Sequence, residues 1–425
     1  MNNNTNNSRI PKLRFPGFTG EWEEKKLGEI GDTFSGLSGK TKEDFEKGNS
    51  KFITFMNVLN NVRINTDILG IVNVKDGERQ NKVEFGDMLF NTSSETPEEV
   101  GFCSVYDSKN EQNVYLNSFC FGYRFKNLLE YHPLFLAYFS RSNYGRELMC
   151  KLAQGITRYN LTKEYFNKAV VSFPSISEQQ KISSCLSELD NLISAQGQKV
   201  DALKEKKKGL MQQLFPRQGE TVPRLRFPGF PGEWEEKKMN DVFSRITRKN
   251  TENNQNVLTI SAQYGLISQL DFFKKAVAAA DVTGYYLLQK GDFAYNKSSS
   301  QGKPVGAIKP LKLYDKGVVS TLYICFKCND SREIDFWEQY FDAGILDNEI
   351  LSIAQEGARN HGLLNIPTSG FFELSVISPT LAEKQKIAEC LSALDETITA
   401  ESDKLEALKN HKKGLMQQLF PQPAK

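Results

Sequence analysis

Residues 11–26, PKLRFPGFTGEWEEKK, return at 223–238 as PRLRFPGFPGEWEEKK, identical at fourteen of sixteen positions and displaced by 212. A second pair of matches carries a different displacement. EQQKI at 178–182 returns as EKQKI at 383–387, and GLMQQLFP at 209–216 returns unchanged at 414–421, both displaced by 205. An internal repeat changes every later inference about the fold. The shift from 212 to 205 places the length variation between the matched blocks, at roughly 27–175 and 239–380. Those stretches share only a faint skeleton: GDMLFN at 86–91 against GDFAYN at 291–296, and Gln154-Gly155 against Glu356-Gly357. Two near-constant frames hold two divergent inserts. Either a duplication left two structural domains, or the inserts recognise two different things.

The frames include long helices. From 177 to 214, apolar residues fall at Ile182, Leu186, Leu189, Ile193, Val200, Leu203, Leu210 and Leu214. With Gln196 and Lys207 in the gaps, the steps alternate 4 and 3, a heptad seam that calls for a helical partner. The second copy repeats it at Ile387, Leu391, Leu394, Ile398, Leu405, Leu408, Leu415 and Leu419, with Glu401 and Lys412 as polar layers. Each helix is the other's best partner. Antiparallel pairing of Leu189 with Leu419 and Leu214 with Leu394 sets Lys207 against Glu401 and Gln196 against Lys412. Ser177 with Gln180 reads as a capping box, and Pro216 and Pro421 as stops. About 38 residues at 1.5 Å each give a rod of about 57 Å. The lysine runs at 204–208 and 409–413 belong on a solvated helix face or on phosphate.

The inserts read as strand-rich mixed structure, with strands expected at 51–56, 82–91 and 118–125 in the first and at 257–262, 291–296 and 321–327 in the second, all rich in β-branched and aromatic residues. Amphipathic helical patterns occupy 131–152 and 333–354. The expected fold is α+β: a tail over 1–10, a mixed α/β domain over 11–175, a helix over 176–216, a second α/β domain over 217–380 and a second helix over 381–421. The two long antiparallel helices form a coiled coil between the domains, with a pseudo-two-fold repeat.

Polar loops lie between the strands. Candidate base-edge and phosphate contacts are Lys40 and Lys42; Asn91, Ser93 and Ser94; and Arg158, Tyr159 and Asn160 in the first insert. In the second they are Gln263 and Tyr264; Asn296, Lys297, Ser298 and Ser299; and Arg359, Asn360 and His361. Such loops also serve as ordinary solvated turns.

Signs of catalysis are missing from the sequence. Gly36–Thr41 looks like the end of a phosphate-binding P-loop, but Phe34 stands where the motif needs its first glycine. Cys325 and Cys328 have the spacing of half a zinc site with no second ligand pair at a ligand-like distance. The three histidines, His132, His361 and His411, have no neighbouring acid–base or nucleophile motif. A nuclease would need a carboxylate cluster that no segment supplies. Seven scattered cysteines, no apolar run near the roughly 20 residues that span a bilayer, and a polar Asn-rich start without the core of a secretory signal point to a reducing cytoplasm and no membrane. Lys plus Arg number 54 against 52 for Asp plus Glu, so net charge alone does not announce a nucleic-acid protein.

With these residues in view, nearly the whole chain resembles the specificity subunit of type I restriction and modification systems. The resemblance rests on the duplicated LRFPGF and Glu-Trp opening, the helix starts at 178 and 383, the LMQQLFP endings and the two divergent inserts. It implies that each insert is a target recognition domain for one half of a split, asymmetric site in double-stranded DNA, with the helices as spacer. It further implies two methyltransferase subunits docked on the helices, restriction (motor) subunits in the full complex, and no catalysis or cofactor in this chain. S-adenosylmethionine for adenine N6 methylation, ATP and Mg²⁺ are expected on the partners. A stand-alone scaffold whose inserts bind peptides or proteins is the competing class.

Overall fold

The matched flanks of each repeat close on each other. Glu23–Lys26 pairs antiparallel with Val170–Phe173, and Glu235–Lys238 with Ser375–Ser378, so the opening segment and the stretch just before each long helix form one ribbon, twice. In this computed structural model residues 9–111, 113–261, 265–273, 281–299, 303–359 and 363–421 are described. The long helices run Ile176–Leu214 and Leu381–Leu419, and none of the described helices is long and apolar enough to cross a membrane.

The chain divides into two units that do not follow chain order: residues 1–197 with 403–425, and residues 198–402. Each unit therefore holds the first half of one long helix and the last half of the other. In the first unit four antiparallel strands lie in the order Gly31–Ser35, Cys120–Phe125, Met88–Asn91, Cys103–Val105. The second unit repeats the topology with Phe243–Arg245, Ile324–Cys328, Phe293–Asn296 and Ala307–Pro310. The faint GDMLFN/GDFAYN skeleton is the turn and central strand of this sheet. Phe90 faces Phe121 across it with rings stacked at 5.4 Å, as Phe293 faces Phe326 at 5.4 Å. Around this shared sheet the inserts diverge. The first adds Gly70–Val72, Phe45–Ile53 and Val114–Leu116, the last pairing parallel; the second adds the ribbons Leu258–Ser261 with Gly265–Ser268 and Tyr286–Gln289 with Lys316–Val319.

Several sequence expectations need correction. The strand expected over 51–56 stops at Ile53, because Thr54 caps a helix, Phe55–Asn60, accepting from Asn57 N at 3.3 Å. Only Met88–Asn91 of the expected 82–91 is strand, since Gly86 turns the chain at φ +88°. Each long amphipathic pattern is two helices. Pro133–Arg141 and Asn143–Leu152 break at Ser142, whose Oγ accepts from Gly145 N at 3.1 Å. Ile334–Asp342 and Asp347–Ile353 are separated by Gly344 at φ +72°. The first long helix is capped by Ser175 rather than Ser177, with Oγ 3.4 Å from Glu178 N. Within the stretch expected as a tail over 1–10, Arg9 belongs to the fold: its O accepts from Trp22 N at 3.0 Å and its guanidinium pairs with Glu21.

The repeated blocks meet at each helix start. Arg14 grips Glu178 through two nitrogens, at 2.8 and 2.7 Å, and Arg226 grips Glu383 at 2.8 and 2.8 Å; both carboxylates are buried. Such bidentate pairs fix both position and orientation. The same opening segments reach the end of the other helix: Leu13 N donates to Gln418 O at 3.0 Å in the first unit, and Leu225 N to Gln213 O at 2.9 Å in the second. The LFP endings then plug aromatic cores. Phe420 packs on Phe135, Phe139 and Trp22 at 5.5, 5.9 and 6.5 Å; Phe215 packs on Phe336, Tyr340 and Trp234 at 5.8, 5.8 and 6.2 Å.

These plugs set the helix register, which differs from the expected one. Lys207 pairs with Asp395 (2.6 Å), not Glu401, and Lys412 pairs with Asp190, not Gln196; Glu401 takes Lys199 at 2.5 Å. Heptads repeat, so several registers satisfy them; seating Phe420 and Phe215 against the two tryptophans selects one. Each Asp also accepts from its insert, from Tyr138 OH at 2.8 Å in the first unit and Gln339 Nε2 at 2.8 Å in the second. Along the seam Ile182, Leu186, Val200, Ile387 and Leu391 are buried, as is Gln196. Leu189, Ile193, Leu203, Leu210, Leu394, Ile398, Leu405, Leu408 and Leu415 are half-buried.

Candidate nucleic-acid interface

Two candidate loops of the first insert, far apart in sequence, lie side by side. Beyond Asn91, which ends the central strand, Ser93–Ser94 pairs antiparallel with Tyr159–Asn160. Leu161 N donates to Thr92 O at 2.7 Å, and Gln154 and Asn160 exchange backbone hydrogen bonds of 2.9 and 2.8 Å. The result is a hairpin over 154–160 seated on the end of the sheet. Asn91, Ser93 and Ser94 are buried beneath it: Asn91 Nδ2 donates to Glu99 O at 2.9 Å and Ser94 Oγ to the Glu99 carboxylate at 3.0 Å. Of the candidate residues here, their inward turn leaves Arg158 and Asn160 exposed, with Tyr159 half-buried.

The segment behind the hairpin is held by two arginines that sequence reasoning missed. The Arg141 and Arg146 guanidiniums both lie over the Phe102 ring, 4.8 and 4.5 Å from its centroid. Arg141 donates to Cys103 O, Val58 O and Asn61 O at 2.9, 3.0 and 2.8 Å, and Arg146 to Glu98 O at 3.0 Å. Burial pulls the Arg141 guanidinium down to about 10, still fully charged at neutral pH. Nothing in their spacing marks them, because their partners are backbone carbonyls rather than side chains with a pattern.

Lys40 is not free. Its Nζ lies 2.6 Å from Glu78 and 2.7 Å from Asn73 O, and this contact leads the hydrogen bonds that hold the Glu78 carboxyl down to about 2. Lys42 is exposed at the start of a short turn, Lys42–Asp44.

The second insert builds the corresponding hairpin from Gln355–Arg359 and Leu363–Asn365, beside the end of its own central strand. Leu364 N donates to Lys297 O at 3.0 Å, and Asn296 Oδ1 accepts from Ser298 N at 3.1 Å. Asn296, Lys297 and Ser298 are half-buried and Ser299 is exposed. Arg359 ends its strand; Gln263, Tyr264, Asn360 and His361 lie outside the described residues. Away from this cluster, burial pushes the thiols of Cys325 and Cys328 up to about 12.

A repeated sheet, each bearing one polar hairpin on a constant frame, matches known proteins. The family model described as "Type I restriction modification DNA specificity domain" aligns twice, over residues 19–205 and 231–410. The putative type I restriction enzyme MjaX specificity subunit of Methanocaldococcus jannaschii is 24% identical over 222 residues, 51% of each chain. The MjaVIII specificity subunit of the same organism is 25% identical over 285 residues, 61% of this chain and 63% of that one. The chain thus spans about half the length of the first relative and under two thirds of the second. The crystal structure of a type I restriction-modification system S subunit from M. genitalium shares the fold with a TM-score of 0.58 at 14% identity, over 97% of this chain and 99% of that one. A structure from work on complex assembly and conformational transition of the type I R-M system superposes with a TM-score of 0.53 at 14% identity, over 96% and 99%. Two matched segments that together take in most of the sequence settle the family: the chain belongs to the type I restriction modification DNA specificity family.

Proposed function

We propose that this chain is the non-catalytic address of a type I restriction and modification complex, each insert reading one half of a split, asymmetric DNA site. One observation carries the proposal: the same sheet and hairpin occur in both units on a near-identical frame, while the residues of the two hairpins differ. A constant mount with a variable tip suits two reading heads that share a docking scheme and differ in the bases they prefer. The long helices fix the distance between the heads and dock two methyltransferase subunits, which methylate adenine at N6 with S-adenosylmethionine. Restriction (motor) subunits use ATP and Mg²⁺ to cut unmodified DNA.

Co-expression with a neighbouring methyltransferase gene, followed by genome-wide methylation mapping, tests the proposal. A bipartite adenine motif supports it; a scaffold for other proteins yields none. Arg359→Ala is expected to relax or abolish one half of that motif and spare the other. Equal loss in both halves points to general phosphate binding or misfolding.

The spacer role has its own test. The pairs Asp190–Lys412 and Asp395–Lys207 must survive, so one heptad is inserted in each helix between them, near 200 and 405. The gap is expected to widen by about 10 Å, or roughly three base pairs. An unchanged gap refutes the spacer.

A further inference from the structure

The first hairpin ends in a side chain that neither packs nor bonds: Ile156 is 92% exposed. Single exposed apolar residues are ordinary; the mounting distinguishes this one. The stem is anchored on one side by the Ser93–Ser94 ladder and below by Leu161, which is buried, so the turn is confined to 155–158. The turn closes so tightly that a Cβ on Gly155, at φ +124°, would lie 2.0 Å from Arg158 O. Glycine is required there, and Ile156, Thr157 and Arg158 are all left exposed at the tip. Arg158 makes no ion pair among the described residues. Asn160 Nδ2 donates back to Arg158 O at 3.2 Å and stiffens the descending side.

A narrow, stiff, cationic hairpin tipped by a branched apolar side chain has the form of a groove-binding wedge, in which arginine takes phosphate or a groove edge while the apolar group slides between two bases. The unstacking is offset by the surface that the bent duplex then covers. We propose that Ile156 is such a wedge: it enters the base stack of the half-site read by the first insert, with Arg158 on an adjacent phosphate. The inference rests on the DNA-reading function above and adds a distortion which that function does not require.

The full chain, produced with its methyltransferase partner, is mixed with duplexes carrying its mapped site, with 2-aminopurine at successive positions of the half that Arg359→Ala spares, leaving out the methylated adenine, which a methyltransferase itself turns out of the stack. Emission is expected to rise at one step and not at its neighbours. Ile156→Ala abolishes the rise, Ile156→Leu keeps it, and all three proteins melt alike because the side chain is exposed. If no step responds in the wild type while the site is still bound selectively, the wedge is overturned and the reading function stands. A rise that persists in Ile156→Ala overturns it equally. If the wild type shows no selective binding at all, both fall together.

Discussion

Arg14→Ala is expected to destabilise the first unit by about 3–5 kcal/mol, the cost of leaving one partner of a buried ion pair uncompensated. Glu178 is 1% exposed and accepts two guanidinium nitrogens, so removing Arg14 strands a carboxylate that water cannot reach. The effect should be local. Amide exchange is expected to accelerate in Glu23–Lys26 and Val170–Phe173, whose ribbon lies between the two partners in the chain, while Glu235–Lys238, clamped by Arg226 and Glu383, keeps its protection. Replacing both partners, Arg14→Met with Glu178→Leu, should recover most of the loss, because no unpaired charge remains. Unchanged exchange in the single variant would show that the pair is not the clamp.

Phe420→Ala is expected to cost a similar amount, about 3–5 kcal/mol, by opening a cavity among Trp22, Phe135 and Phe139. Phe420 and Trp22 are both fully enclosed, and the rigid sheet and helices around them leave the site little room to collapse. Its counterpart Phe215→Ala should act on the other unit, through Trp234, Phe336 and Tyr340. Limited proteolysis separates the two: Phe420→Ala should expose sites in 27–175 and Phe215→Ala in 239–380. If each variant is cut in both inserts alike, the endings do not serve one unit each.

What could be read from sequence follows from how local each constraint is. The frames were legible because Arg14, Glu178, Trp22 and the LFP ending do one job and their twins do it again; repetition exposed the set even though its members touch across more than 150 residues. The long helices were legible from period alone. Their register was not, since it is chosen by where Phe420 and Phe215 seat, a contact outside the heptads. Helix breaks at Ser142 and Gly344 escaped because the apolar pattern runs on through them. At the interface, loop chemistry picked out Asn91, Ser93 and Ser94 with Arg158, Tyr159 and Asn160, and these do come together, yet it could not tell buried Ser93 and Ser94 from exposed Arg158. Lys40 looked available because Glu78 is 38 residues further on. Ile156 was passed over, since an apolar residue in a polar loop has no chemical signature until its exposure is known.

The exchange of helix ends also orders events at the ribosome. The first insert is synthesised early, but the aromatic group that closes its core is Phe420, so about 200 further residues must be made after the first long helix. At ~5–20 residues per second, that is a wait of roughly 10–40 s with Trp22 and Phe135 unshielded. The second unit meets no such delay, because Phe215 has already emerged when its sheet appears. Nascent chains of this design should therefore depend on holding chaperones in their first half and not in their second, and a message cut short before Phe420 should yield a product that proteases clear from the amino end inward.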